Sequence, residues 1–172
     1  MKTILLPVIS GLCAMLTGCS EQYFVAKDLE RLAEEAHEVT LFSLNPRSVA
    51  GTSTNTESIF HGYEILERTP TLSSEEGHEL LSALADGVKN SDGMTAMCFN
   101  PRHALRIKVQ KKTIDLTICF ECRKVYAHGF NDDRTFYPSP APRYFFNDVL
   151  ARYDLSKPLN EAEQDPAVKI DQ

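Results

Sequence analysis

The chain has 172 residues, of which 42% are hydrophobic and 24% are charged. It is therefore long enough for one domain with a buried core, and its composition is ordinary for a globular protein. The formal net charge is −6 and the basic residues are scattered, which argues against nucleic acid as a partner and against electrostatic adhesion to anionic lipid. The sequence does not define an oligomeric state.

The N-terminus has the features of an export signal. Lys2 precedes an apolar run that Pro7 and Gly11 interrupt and that ends in small residues. The run is too short to cross a bilayer comfortably, which favours a secretory signal over a spanning helix. Residues 1–18 are therefore predicted to be a signal peptide.

The sequence LTGC at the end of this run resembles the lipobox of bacterial lipoproteins. The resemblance implies cleavage before Cys19, attachment of a diacylglyceryl group to its sulfur and, usually, acylation of its amino group with a fatty acid such as palmitate. Several acyl chains give stable anchoring where one is marginal. We expect a lipid-anchored envelope protein, at the outer membrane facing the periplasm if the organism has one. The alternative is an ordinary signal peptide.

This processing accounts for two of the five cysteines. Cys13 leaves with the signal and Cys19 carries lipid, so Cys98, Cys119 and Cys122 remain. Three thiols in an exported protein cannot all pair with one another. At least one of them stays free, binds a metal or pairs with another chain.

The first predicted helix covers residues 21–38, where apolar and charged residues alternate at helical spacing. After the lipidated cysteine, residues 19–38 form either a spacer from the membrane or a helix docked on the domain. Strands are predicted at residues 39–44 and 59–72. Ser73 and Glu76 match a capping box, which predicts the start of a second helix.

A central hairpin is predicted from two runs of strand-forming residues, 104–109 and 113–125. The simplest turn is centred on Lys111 and Lys112. Because side chains alternate along a strand, this register separates an almost wholly apolar face from a charged one.

The register also predicts two pairs of opposite charge on the second face. Lys108 lies opposite Asp115, and Arg102 lies opposite Glu121. Such pairs favour one register over others. A slip of one residue would move the charges into the core.

Cys98, His103, Cys119 and Cys122 have the spacing of a four-ligand zinc site. In a continuous strand the Cα atoms of Cys119 and Cys122 would lie roughly 10 Å apart, so no disulfide is expected between them. A shared metal, or a disulfide from Cys98, requires the strand to break near Pro101. Packed free thiols are the favoured interpretation, and His103 is expected in the core. A Cys98 disulfide, a metal site and a nucleophilic cysteine stay as alternatives.

Two motifs in this region, CFNPRH at residues 98–103 and DLTICFEC at residues 115–122, resemble a known pair. The pair, CFxPRH with ICFEC, is similar to that of a family of small bacterial exported proteins and lipoproteins to which no activity is assigned. The resemblance covers residues 62–155. It implies a common fold and nothing about catalysis.

A final helix is predicted at residues 144–153, and residues 157–172 are expected to form a flexible acidic tail. The order of elements predicts an α+β domain over residues 39–156. Its small antiparallel sheet is built on the central hairpin, with helices packed on one face and the charge-paired face exposed to water.

The sequence contains no acid/base pair, nucleophile triad or phosphate loop, so no catalytic residue is assigned and the prediction leans away from an enzyme. The favoured hypothesis is a non-enzymatic envelope lipoprotein that binds a protein partner. Its candidate binding face consists of Arg102, Arg106, Glu121 and Arg123. The alternative is a metal- or thiol-based redox protein that uses the cysteine cluster, with zinc as the one cofactor considered. An unrecognised hydrolase is a third hypothesis.

Overall fold

The computed structural model describes residues 17–47, 56–130 and 132–155. The predicted acidic tail and residues 1–16 of the predicted signal peptide lie outside the described residues. Cys19 belongs to the first helix, although its side chain is not among those described. Within these ranges no helix is both long and apolar enough to cross a membrane.

The described residues form one seven-stranded sheet in which every pair of neighbours is antiparallel. The strands are β1 Glu38–Asn45, β2 Ile59–Phe60, β3 Tyr63–Arg68, β4 His103–Val109, β5 Lys112–Cys119, β6 Lys124–His128 and β7 Arg134–Phe136. Their spatial order is β2-β3-β1-β4-β5-β6-β7. The chain from β4 to β7 is a meander, in which β5 lies between β4 and β6.

Three helices, α1 Thr17–Glu35, α2 Ser74–Lys89 and α3 Pro142–Arg152, pack on one face of this sheet, and a short 3-10 turn covers Thr56–Ser58. The predicted capping box is confirmed, because the Ser73 hydroxyl accepts from the Glu76 backbone and the Glu76 carboxylate accepts from the Ser73 backbone. Leu29 and Leu32 of α1 are buried in the same core, so α1 is packed on the domain. The predicted α+β fold is confirmed.

The β4–β5 hairpin turns one residue earlier than expected, at Gln110 and Lys111. Gln110 adopts a φ of 53°, and Val109 pairs with Lys112. The predicted register is therefore wrong by two residues: Arg106, and not Lys108, lies opposite Asp115. A shift of two residues preserves which side chains share a face, so the predicted division into faces is correct.

The predicted strand over residues 113–125 is wrong in one respect, because it is two strands. β5 ends at Cys119, a four-residue turn follows, and β6 begins at Lys124. Arg123 closes the turn with a φ of 55°. Cys119 ends β5 and pairs with Lys124, while Cys122 lies in the turn between the two strands, so Cys119 and Cys122 are not part of one extended strand.

Both faces of the sheet carry buried apolar side chains. The helix-covered face carries Leu105, Ile107, Leu116 and Ile118. The other face was expected to be wet, yet four buried apolar side chains form a second cluster there: Phe42, Leu44, Phe60 and Ala104. His61, in the turn between β2 and β3, contacts Asp115 of β5 and His128 of β6, so the edge of the sheet folds over this side, which we call the concave face.

Candidate functional site

The turn between β5 and β6 brings two cysteines together. In the tight turn the Cα atoms of Cys119 and Cys122 are 5.2 Å apart, and the two sulfurs form a disulfide. The expectation that these cysteines could not pair is wrong, because it assumed an extended strand with about twice that separation. The backbone N–H of Cys122 also donates to the sulfur of Cys119 over 3.1 Å.

The third cysteine reaches the same place from the segment before β4. The sulfur of Cys98 lies 3.2 Å from the sulfur of Cys122. The backbone N–H of Asn100 donates to the sulfur of Cys122 over 3.4 Å. Cys98 is an exposed free thiol, whereas Cys119 and Cys122 are 1% and 0% exposed. The site is thus a buried disulfide with one accessible thiol against it.

Residues 92–100, which we call the Cys98 segment, are held on the turn by hydrogen bonds to Cys122. The backbone N–H of Ala96 and the hydroxyl of Thr95 both donate to the Cys122 carbonyl, over 3.1 and 2.9 Å. Because these bonds reach the backbone of a cysteine in the disulfide, the Cys98 segment and the turn are fixed relative to each other.

An ion pair fastens the start of the same segment. Arg123 donates to both oxygens of Asp92, over 2.5 and 3.2 Å. The backbone N–H of Met94 and the guanidinium of Arg123 hold the pKa of Asp92 below its usual value. The Asp92 carboxylate therefore stays charged at neutral pH, and the pair ties the Cys98 segment to the last residue of the turn.

Cys98, Cys119 and Cys122 together form what we call the sulfur cluster. His103 is not part of it. Its ring is buried on the helix-covered face between Phe120 and Phe146, and its Nε2 donates to Oδ1 of Asn147 over 2.8 Å. Burial lowers the pKa of His103 to about 4, although the bond to Asn147 opposes that shift. The histidine is thus a neutral core residue at physiological pH.

The structure brings together three of the four side chains considered as zinc ligands: Cys98, Cys119 and Cys122. Among the described residues no group of three or more His, Cys, Asp or Glu is arranged to hold a metal ion. Thiolates bind zinc, and the sulfurs of a disulfide are not thiolates. Zinc binding by this cluster would therefore require the disulfide to be reduced first.

The four residues of the candidate binding face form ion pairs within the chain. Arg102 is 5% exposed and pairs with Glu121 over 3.5 Å. Arg106 pairs with Asp115, and Arg123 with Asp92. Each of these four side chains thus has an ion-pair partner within the chain, while Arg106 and Glu121 are also exposed.

The concave face holds a charged network that the sequence did not indicate. Arg106 donates two hydrogen bonds to Asp115, over 2.7 and 2.8 Å, and the Nε2 of His61 lies 2.8 Å from the same carboxylate. Burial alone would raise the pKa of Asp115, but the bonds from Arg106 and His61 outweigh it and lower the pKa. The ring of His61 stacks on that of His128, with centroids 4.1 Å apart.

A shallow polar groove of about 400 Å³ runs along β1, β3 and β4 beside this network. Its lining includes Arg68, Arg106 and Lys108 together with Glu38 and the ring of Phe42. Lys108 pairs with Glu38 over 2.6 Å, and Arg106 is held by Asp115. Two of its three cations are thus neutralised by carboxylates of the chain.

No protein-family model, curated protein or solved structure matches this chain. A fold alone does not define a function, whereas the chemistry of a site bears on it directly. The candidates are the sulfur cluster and the charged network around Asp115. In the charged network, side chains of the chain bind one another. The sulfur cluster alone presents a reactive group at the surface.

Proposed function

We propose that this chain is an exported, lipid-anchored envelope protein that exchanges disulfides with the thiols of a partner protein. One observation carries the proposal: the exposed thiol of Cys98 lies 3.2 Å from a sulfur of the buried Cys119–Cys122 disulfide. A thiol in contact with a disulfide is the arrangement from which thiol–disulfide exchange begins.

The N-terminal sequence supports the location. An export signal ending in LTGC would deliver the chain to an oxidising compartment, where disulfides form and persist. Cys19 lies near the start of α1, and α1 packs on the domain. A lipid on Cys19 would therefore hold the domain, and the sulfur cluster with it, close to the membrane surface.

The surroundings of Cys98 support a polypeptide as the partner. Met94 and Met97 belong to the Cys98 segment, and they are 67% and 100% exposed. Methionine is apolar and flexible, so it adapts to varied peptide surfaces. The partner's contact is therefore assigned to the Cys98 segment, since the charged residues of the predicted binding face are paired inside the chain.

The exchange balances with a partner dithiol as the electron donor. The partner loses two electrons and two protons and becomes a disulfide, while Cys119 and Cys122 gain them and become thiols. In the reverse reaction, Cys119 and Cys122 as thiols supply the two electrons, and a disulfide of the partner is reduced. Which direction prevails depends on the reduction potentials of the two couples.

The reduction potential of the Cys119–Cys122 pair tests the proposal. Full-length protein in detergent is equilibrated in glutathione buffers of graded ratio, alkylated, and mapped by peptide mass spectrometry. An exchange protein should titrate reversibly with a midpoint between about −270 and −120 mV. A midpoint below about −300 mV would mark a structural disulfide and overturn the proposal.

A separate measurement tests the anchor. Wild-type protein should partition into the detergent phase and carry the mass of its acyl chains. The Cys19→Ser variant should lose both properties, because the sulfur that accepts the diacylglyceryl group is gone. A Cys13→Ser variant is the matched control and should behave as wild type. Equal partitioning of the Cys19→Ser variant and the wild type would rule out anchoring at this residue.

A further inference from the structure

The three sulfurs of the cluster differ sharply in access. Cys98 is exposed, whereas Cys119 and Cys122 are 1% and 0% exposed. Exchange requires a thiolate to approach one sulfur of the disulfide directly, so burial of both sulfurs blocks an external thiol. Cys98 is already inside this barrier, because its sulfur touches that of Cys122.

The contacts also distinguish the sulfur that is attacked from the one that leaves. Cys98 lies 3.2 Å from Cys122, so a bond from Cys98 forms at Cys122 and releases Cys119. The backbone N–H of Cys122 points at the Cys119 sulfur over 3.1 Å. A hydrogen bond of this kind favours the charged form of its acceptor, which makes Cys119 the better leaving thiolate.

We propose that Cys98 is the entry thiol of an internal relay, and that the chain alternates between a buried Cys119–Cys122 disulfide and an accessible Cys98–Cys122 disulfide. This inference rests on the proposed exchange function and adds its route. The Cys98 thiol gives up its proton to solvent, and its sulfur bonds to Cys122. The Cys119–Cys122 bond breaks, and its electron pair goes to Cys119, which takes up a proton. No net oxidation occurs in this step.

The second stage involves the partner dithiol. One partner thiolate attacks the exposed Cys98 sulfur, and Cys122 leaves with the electron pair and takes up a proton. The second partner thiolate then attacks the partner's own sulfur in the mixed disulfide, which releases Cys98. The partner has become a disulfide and has supplied two electrons, and all three cysteines of the chain are thiols.

The hydrogen bonds of the Cys98 segment suit this route. Thr95 and Ala96 donate to the carbonyl of Cys122, so the segment is fixed to the residue that Cys98 attacks. The pair of Arg123 and Asp92 ties the start of the segment to the end of the same turn. The attacking sulfur is therefore positioned by contacts to its target.

The rate of disulfide reduction by dithiothreitol tests the route in the full-length protein. Removing the entry thiol in Cys98→Ser should slow reduction of the Cys119–Cys122 disulfide at least about tenfold, because the reductant then waits for the turn to open. Leu66→Ser changes an exposed residue of β3, outside the Cys98 segment, and keeps the thiol, so it should react at the wild-type rate. Reduction of Cys98→Ser at the wild-type rate would overturn the relay while leaving exchange itself intact.

A second readout does not depend on an external reductant. In Cys119→Ser the leaving sulfur is absent, and air oxidation should link Cys98 to Cys122, as peptide mapping after acid quenching would show. In Cys122→Ser no disulfide within the chain should form between Cys98 and Cys119. Two free thiols in oxidised Cys119→Ser would contradict the relay. A midpoint as low as that of a structural disulfide would instead contradict the exchange function, so the two failures are distinguishable.

Discussion

The two faces of the sheet are built from the same strands in different ways. On the helix-covered face Leu105 and Leu116 lie among apolar side chains of three helices. On the concave face, the neighbouring positions Arg106 and Asp115 form an ion pair under the folded β2–β3 turn. Because side chains alternate along β4 and β5, the same two strands contribute to two clusters. One is held by apolar burial, and the other combines aromatic packing with an ion pair.

The two faces should therefore respond to different perturbations. Apolar burial is non-directional and independent of pH, so the helix-covered face should respond to lost volume. The concave face places Arg106 over the rings of Phe60 and Phe42, at 5.1 and 5.9 Å from their centroids. Its charged contacts depend on specific partners and on their protonation, and so should its stability.

The largest expected effect is a cavity in the helix-covered face. Leu105 is fully buried at the centre of the sheet, and Leu105→Ala should lower the free energy of unfolding by about 3 kcal/mol, within a range of about 2–5. Urea unfolding measures it. Leu66→Ala is the matched control at a residue 48% exposed, and it should change stability by less than about 0.5 kcal/mol. Equal effects of the two changes would show that the helix-covered core does not depend on the buried volume of Leu105.

Acid should reveal His103, a titratable residue buried in the helix-covered face. His103 has a pKa of about 4 in the folded chain, below the usual 6.5, so the unfolded chain binds its proton more readily. Its stabilising contribution is complete above pH 6.5 and is lost as pH falls to 4, by roughly 3 kcal/mol. Unfolding free energies measured across this window check the slope. His103→Gln should flatten it, and an unchanged slope would contradict the assignment.

Much of the helix-covered face could be predicted from the sequence because local patterns encode it. The capping box at Ser73 and Glu76 and the alternation around Leu105 and Leu116 act over a few residues. The register error shows the limit of such patterns. Gln110 takes a positive φ that no local preference of glutamine indicates, and the hairpin pairing moves by two residues in consequence.

The sequence predicted which cysteines form the candidate site, but it did not predict how they are arranged in space. The sequence could point to three cysteines as the candidate site because it offers few other reactive side chains. They are Cys98, Cys119 and Cys122. Apolar and β-branched residues on both sides of Cys119 favoured one continuous strand, and nothing local marked the turn. The contact of His61 with Asp115 spans 54 residues, so only the curl of the whole sheet brings them together.

An intermediate effect is expected from the ion pair of the concave face. Asp115→Asn removes the charge that Arg106 and His61 bind, and it should cost about 2 kcal/mol near neutral pH. Because the folded pKa of Asp115 is lowered, the wild-type advantage exists above the unfolded pKa and is lost as pH falls through the folded one. Asp148→Asn at an exposed position is the matched control. A difference between Asp115→Asn and wild type that persists undiminished in acid would contradict this account.

The smallest expected effect concerns the turn that closes the concave face. His61 has a φ of 45°, a conformation that asparagine also tolerates, so His61→Asn removes the ring without straining the backbone. Loss of the bond to Asp115 and the stack on His128 should cost about 1 kcal/mol, while His37→Asn at an exposed site should cost nothing measurable. A double-mutant cycle with His128→Asn should give a coupling of about 0.5–1 kcal/mol. Additive effects would mean that the two rings do not stabilise each other, and that the curl depends on the cluster around Phe60 and on Arg106 instead.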